Sequence, residues 1–311
     1  MIVVAGRINL DTVVELSTKL VLGGKALAKR VIRVFGGSGL NAAIALKRVL
    51  PEEEVALVGC VGSDWEGREA LDLLRREGVS TIFVSVLEGS TGRAFVIVDP
   101  SGESTSITLP GVNYSCVAPE ALSEARNVAT AVAMNPPPEV FRAILELCTR
   151  CGAPLFCDFG TELPKLLPML ESSRYRNAVL VPTLHEIESI DRGVELSRRL
   201  GIPVVIKAGS SGAIIVDPGT RKLYRVPRLD PRALGLEPRS SSGCGDTFTA
   251  TLAAYASRGY SLVEAAARAI VAAAIKASRL EPYAAPYRSE LEEAFAKVGR
   301  SILSSVSVES I

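Results

Sequence analysis

Short β-branched runs alternate with helical stretches along most of this 311-residue chain, and glycine turns join one kind to the other. Ile2 to Ala5 reads as a buried strand ending at Gly6, and Val31 to Phe35 as a second strand reaching Gly36-Gly37-Ser38-Gly39. Asn41 to Leu50 then has helical spacing. The pattern returns with strands at Val55 to Val58, Ala129 to Ala133, Leu155 to Asp158 and Ala178 to Val181, and with helices at Glu66 to Glu77 and Glu139 to Thr149. Val204 to Lys207 and Ala213 to Asp217 read as two strands joined across Gly209-Ser210-Ser211-Gly212. From Asp246 onward, helices are expected at Thr247 to Ser257, Leu262 to Ser278 and Ser289 to Leu303. Alternation in this order predicts an α/β fold with a mainly parallel sheet and helices on both faces. Sites on such sheets lie beyond the carboxyl ends of the strands. The antiparallel-looking pieces at 11–35 and 91–110 do not fit that sheet and are assigned to a small β-sheet lid within a single domain, 1–311.

Two glycine-rich segments carry most of the chemistry. Ser240-Ser241-Ser242-Gly243-Cys244-Gly245-Asp246 opens the apolar helical stretch that follows. Glycines let backbone N–H groups converge, and a helix start adds partial positive charge, so residues 243 to 245 form an anion hole. A carboxylate at the same point would repel a phosphate that was merely bound. It makes sense if Asp246 removes the proton from a hydroxyl attacking that phosphate. An ordinary N-cap aspartate fits the segment equally well. The earlier segment, Gly36 to Ala42, contains a G-x-G-x-x-A match, but it follows the second strand and lacks a well-placed acid, so a dinucleotide site of the Rossmann type is the weaker reading. No Walker-type phosphate loop occurs.

Other residues have both a structural and a chemical reading. Asn9 and Asp11 are two apart and share a side of an extended chain, where they suit sugar hydroxyls, although Asn and Asp also favour turns. Glu186 and Glu188 follow a strand end where Mg²⁺ and phosphates meet, or simply start a solvated helix. His185 is the only histidine and reads as a loop residue, there being no G-x-S-x-G elbow for a hydrolase. Cys148 and Cys151 close a helix as a C-x-x-C pair. With Cys157 nearby, zinc would still need a fourth ligand such as His185, and a redox pair belongs at a helix start, so structural thiols or a disulfide are expected.

Thirty-five basic residues against thirty-four acidic ones leave no global field to hold nucleic acid or an anionic membrane. Apolar stretches such as Ala265 to Ala277 are broken by Arg268 and Lys276, and the first residues lack a basic start and cleavage site, so neither a membrane span nor a signal peptide is expected. Six cysteines are few for this length, and a reducing cytoplasm is the expected location. The absence of glutamine fits a protein of hot environments.

Taken in order, these segments resemble the ribokinase family of carbohydrate and nucleoside kinases, also called the PfkB family. Val4 to Asp11 is similar to its opening strand, Gly36 to Asn41 to its first glycine signature, and Val58 to Gly67 to its G-x-x-G-x-D-x-x-G segment. Ser90-Thr91-Gly92-Arg93-Ala94 resembles the lid strand, and Gly243-Cys244-Gly245-Asp246 the second signature, usually G-A-G-D. The resemblance implies a three-layer α/β/α kinase that moves the terminal phosphate of ATP, or ADP, to a hydroxyl of a sugar, sugar phosphate or nucleoside. Asp246 is then the base and Gly243, Cys244 and Gly245 supply the hole. Asn9, Asp11, Gly36, Gly37, Asn41 and Asn135 contact the acceptor. Lys207, Gly209, Ser210, Gly212, Gly243 and Gly245 contact the nucleotide, and Glu186 acts on Mg²⁺ through water or phosphate. The lid closes over substrate and often forms a homodimer contact.

Several positions depart from the family. Thr183 replaces the asparagine of its N-x-x-E motif, Ser38 stands where ribokinases often carry lysine, and Asn135 where ribokinase has a sugar-contacting glutamate. Ser240 replaces the aspartate three residues before the second signature, and Glu281-Pro282 replaces a late glycine. Both of these last regions help bind a monovalent cation in ribokinase itself, which argues against potassium activation here. Arg93, with Arg7, points to a negatively charged acceptor such as a sugar phosphate. An oxidoreductase and a non-catalytic sugar sensor are the competing classes, and the retained Asp246 argues against the sensor.

Overall fold

The computed structural model describes all residues, 1–311. Its strands are β1 (Ile2–Gly6), β2 (Asn9–Leu16), β3 (Ala28–Gly36), β4 (Val55–Gly62), β5 (Ser80–Leu87), β6 (Gly92–Val98), β7 (Ser104–Leu109), β8 (Thr130–Met134), β9 (Leu155–Asp158), β10 (Ala178–Leu180), β11 (Val204–Lys207), β12 (Ala213–Asp217), β13 (Lys222–Val226) and β14 (Ser307–Ser310). Ten of them form one sheet in the order β14-β13-β12-β11-β10-β9-β8-β1-β4-β5. From β11 to β5 every pairing is parallel, and β12, β13 and β14 extend the β11 edge antiparallel.

Both faces of the parallel part are buried, which is why β1 and β4 read as unbroken apolar runs rather than alternating ones. Residues of β1 divide between two cores. Ile2 and Val4 pack with helices Ser38–Val49, Cys244–Ala256 and Leu262–Ala277, whereas Val3 and Ala5 pack with Pro138–Cys151 and Leu163–Ser173 on the other face. The chain order reverses at β1, whose neighbours are β8 on one side and β4 on the other. A crevice opens beyond the carboxyl ends of the strands at such a reversal.

The second sheet, β3-β2-β6-β7, has β2 and β6 parallel at its centre and antiparallel edges. It contains the segments expected as a lid, with β2 beginning at Asn9 and β3 ending at Gly36. One side is apolar, with Val13, Val34, Ala94, Val96 and Val98 clustered around Leu280 from the main body. Its root is pinned by the G-x-D segment: Asp64 accepts from the Thr91 backbone N–H at 2.8 Å and hydroxyl at 2.6 Å, and caps helix Trp65–Arg76 through the Gly67 N–H at 2.9 Å. Its far turn docks on the second glycine signature, where Ser241 Oγ accepts from the Ser104 N–H at 3.0 Å and the Ser241 N–H donates to the Gly102 carbonyl at 2.9 Å.

Of the two readings of Cys148 and Cys151, the structure has the thiols, and it adds a disulfide that was not expected. The disulfide joins Cys60 in β4 to Cys116, while Cys148 and Cys151 are free thiols. Cys148 and Cys151 lie three residues apart in the last turn of one helix, whereas Cys60 and Cys116 meet in the core with Cα atoms 5.6 Å apart. No helix is long and apolar enough to cross a membrane.

Candidate active site

Asp246 lies in the first turn of helix Cys244–Ala256, preceded by Gly243 in the left-handed region at φ 77°. A side chain at Gly243 would place its Cβ 2.0 Å from the Pro282 carbonyl oxygen, so the turn packs too closely for any residue but glycine. The helix starts with no side-chain cap. The Cys244 N–H is taken by the Ser241 carbonyl at 3.1 Å, while the Gly243 and Gly245 N–H groups have no acceptor in the protein and are left for a ligand.

Asn41, in the first turn of helix Ser38–Val49, donates from Nδ2 to Asp246 Oδ2 at 2.7 Å. Asp11, on β2, faces the same space and is 4% exposed. Its Oδ1 and Asn41 Oδ1 are buried acceptors with no partner in the protein. Acceptors left without donors in a pocket await a ligand that brings hydroxyls. Burial pushes the Asp11 carboxyl up to about 7, with the Asp246 charge adding to the rise. Burial also lifts Asp246 to about 6, opposed by the Asn41 hydrogen bond.

Gly36 makes room for this arrangement, since a Cβ there would lie 2.1 Å from Asp11 Oδ2. Asn9 is held by Asn113, whose Nδ2 donates to its Oδ1 at 3.0 Å. Arg7, Asn9, Asp11, Gly37, Asn41, Asn135, Gly243 and Asp246 all border one cavity of about 290 Å³. The lid supplies its roof through Ala94, Val96, Ser104, Ser106 and Thr108. These inward hydroxyls were missed in the sequence, although the alternation in Ser104–Leu109 carries them.

A second cavity of about 490 Å³ lies on the other side of the turn, bordered by Lys207, Gly209, Gly212, Cys244 and Gly245. Leu229, Phe248, Ile270, Ala273 and Ala277 give it an apolar wall. Lys207 reaches Asp158, which also accepts from Thr249 at 2.8 Å. Burial lowers the Lys207 pKa, but Asp158, Glu186 and Asp246 together outweigh it and hold the ammonium above its ordinary value. Ser210 lies in the intervening 3₁₀ turn, exposed. His185 does not sit in a loop: it belongs to the short helix Leu184–Ile187 and borders this cavity with Arg228.

Arg93 is a correction. Strand alternation sends Ala94 and Val96 into the 290 Å³ cavity and Arg93 out, where it pairs with Glu66 at 2.6 Å. Arg7 keeps its place in the cavity wall, paired with Glu162 at 2.7 Å, and Glu162 also holds Lys165. Asn135 accepts from the Glu162 N–H at 3.2 Å in the same corner. Thr183, replacing the family asparagine, forms a capping box with Glu186: its hydroxyl accepts from the Glu186 N–H and its own N–H donates to Glu186 Oε2.

Residues 1–287 match the pfkB family carbohydrate kinase description. The chain belongs to the PfkB family. Ribokinase from Bacillus subtilis is 24% identical over 301 residues, spanning 94% of this chain and 98% of that protein. A structure of Arabidopsis thaliana ribokinase complexed with ribose and ATP superposes with a TM-score of 0.77 and 24% identity, covering 94% and 97% of the two chains. Burkholderia thailandensis nucleoside kinase in complex with inosine gives 0.79 and 21%, covering 96% and 98%. The fold is the ribokinase-like α/β fold, and this PfkB protein is a kinase. Its first glycine segment follows β3 of the smaller sheet and borders the cavity that holds Asp11 and Asp246, which removes the dinucleotide reading of Gly36 to Ala42.

Proposed function

We propose that this kinase transfers the terminal phosphate of ATP, with ADP as the alternative donor, to a hydroxyl of a sugar or sugar phosphate, using Asp246 as base. The observation that carries the reading is the meeting of two cavities at Gly243 to Asp246, one polar with orphaned acceptors and the other walled by apolar groups. The acceptor hydroxyl gives its proton to Asp246 as its oxygen forms a bond to the terminal phosphorus, and the bond from that phosphorus to the bridging oxygen of the donor breaks. The free N–H groups of Gly243 and Gly245 receive the migrating charge, and Lys207 sits beside Gly245, its Nζ 3.7 Å from where a Cβ would lie. Asn41 holds the Asp246 carboxylate in position. Asp11 and Asn9 orient the acceptor.

No group of three or more His, Cys, Asp or Glu side chains is arranged to hold a metal ion. That suits Mg²⁺ arriving on the nucleotide phosphates, since this ion keeps several waters and takes few protein ligands. When bound it would neutralise phosphate charge, with Glu186 acting through water. Closure of the lid excludes water that would otherwise accept the phosphate. The outer face of the lid exposes Phe95, Ile107 and Leu109, an apolar surface that supports pairing with a second copy of the chain.

Among acceptors, a sugar or its phosphate is favoured over a nucleoside, because Ala94 and Val96 are the only hydrophobic residues of the acceptor cavity and a purine needs more apolar surface. Arg7 in its wall favours an anionic acceptor. A panel of pentoses, hexoses, their monophosphates and nucleosides, each assayed with ATP and ADP, tests the reading. The highest kcat/KM is expected on a sugar or sugar phosphate; a preference for nucleosides would contradict it.

A further inference from the structure

Lys276 is 0% exposed, in the last turn of helix Leu262–Ala277. A lysine is almost never buried so completely without a carboxylate partner, because removing an ammonium from water costs several kcal/mol. Here Nζ donates instead to two backbone carbonyls, Arg279 at 3.1 Å and Ser240 at 3.4 Å. Burial pulls its pKa down, and Cys244, Glu281 and Asp246 oppose the fall from a distance.

The two carbonyls belong to segments that bracket the anion hole. Ser240 begins the turn into Gly243, with its Oγ accepting from the Ser242 N–H at 3.2 Å and its carbonyl accepting from Cys244 Sγ at 3.7 Å. Arg279 opens the loop whose Pro282 carbonyl abuts Gly243. The helix end ties in as well, because the Ala277 carbonyl accepts from the N–H groups of Arg239 and Ser240 at 2.7 and 3.0 Å. Ser240 and Glu281-Pro282 are also where this chain departs from ribokinase in the regions that help bind a monovalent cation. The Lys276 ammonium already bridges the Ser240 and Arg279 carbonyls beside them.

We propose that Lys276 is a built-in monovalent cation, its ammonium fixed between the Ser240 and Arg279 carbonyls so that the Gly243–Gly245 turn keeps its shape without a bound ion. Lys276 is thus a positioning residue acting through the anion hole, and the proposal rests on the phosphotransfer reading of that turn. Tethering the charge removes any dependence on ion concentration. It also makes the turn depend on one side chain, whose loss leaves carbonyls that a free cation of similar size can bridge.

The test compares wild type, Lys276→Ala and Lys276→Met in buffers whose only other cation is tetramethylammonium, then with KCl or NH₄Cl added. Wild type is expected to show the same kcat in every salt. Lys276→Ala is expected to lose about tenfold or more in kcat with a smaller change in acceptor KM, as for a displaced catalytic turn. Added K⁺ or NH₄⁺ should restore part of that loss and raise the melting temperature of the variant, while tetramethylammonium does neither. Lys276→Met fills the space without charge and should stay impaired in all salts. Severalfold stimulation of wild type by K⁺ would overturn the proposal whether or not the variants fold, as would a folded Lys276→Ala that keeps full activity or gains nothing from any cation. Asp246→Asn, assayed in parallel, separates this outcome from failure of the phosphotransfer reading, which would show as an Asp246→Asn enzyme that stays active.

Discussion

Asn41 and Asp246 are 205 residues apart in the chain and 2.7 Å apart in space, Nδ2 to Oδ2. The first and second glycine signatures thus converge on one carboxylate, and each helix start contributes one side chain to it. Asp11 completes the group from the lid sheet.

Titration of these carboxyls sets the pH dependence. Burial raises Asp246 to about 6 and Asp11 to about 7, with the Asp246 charge adding to the rise at Asp11. The base works only when ionised, so kcat/KM should fall as pH drops through 7 towards 5. A flat profile over that range would contradict the assignment.

Stability should run the opposite way. A carboxyl with a raised folded-state pKa keeps its proton where the unfolded chain has lost it, so stability falls as pH rises from about 4 to 7. Asp11→Asn removes the buried charge and should raise the melting temperature at pH 8 by about 2–5 °C while weakening acceptor binding. Calorimetry at pH 5 and pH 8 checks it, the gain being smaller at the lower pH.

Gly36→Ala should raise the acceptor KM by about tenfold or more, because its Cβ would lie 2.1 Å from Asp11 Oδ2 and must displace that carboxylate. Donor KM should change little, since Gly36 does not border the second cavity. Initial rates against each substrate separate the two.

Arg7→Ala and Arg93→Ala should differ. Arg7 borders the acceptor cavity and Arg93 faces solvent beside Glu66. Loss of Arg7 should lower kcat/KM on a sugar monophosphate by about tenfold more than on the free sugar, whereas loss of Arg93 should lower neither by more than about twofold.

The Cys60–Cys116 bridge closes a loop of 56 residues, which in the chain-entropy account contributes about 4 kcal/mol. Reductant, or Cys116→Ala, should lower the melting temperature by several degrees. Mass spectrometry after alkylation should find Cys148 and Cys151 modified without reduction once the chain is unfolded.

Much of this was legible in the sequence because it depends on local pattern. Apolar β-branched runs gave the parallel strands, and the glycine turns marked where backbone approaches a ligand. Edge strands were not legible: β14 is exposed along its whole length and carries no periodicity that burial imposes. Nor was β13, whose pairing with β12 supplies the order that its own residues do not. Arg93 was misjudged because adjacency to the lid was read without the period of two that sends alternate side chains to opposite faces. Cys60 and Cys116 lie in different segments, and only the tertiary fold brings them together. Lys276 read as a break in an apolar stretch, since nothing local shows that its ammonium ends on the carbonyls of Ser240 and Arg279.

The most direct measurement is the turnover of Asp246→Asn on the best acceptor, with acceptor and nucleotide affinities determined by calorimetry on the same preparation. Asparagine keeps the shape but cannot take a proton, so kcat should fall by about 10²–10⁴-fold with both affinities within a few fold of wild type. A variant that retains wild-type kcat would show that Asp246 only ties the second glycine turn to Asn41 and is not the base.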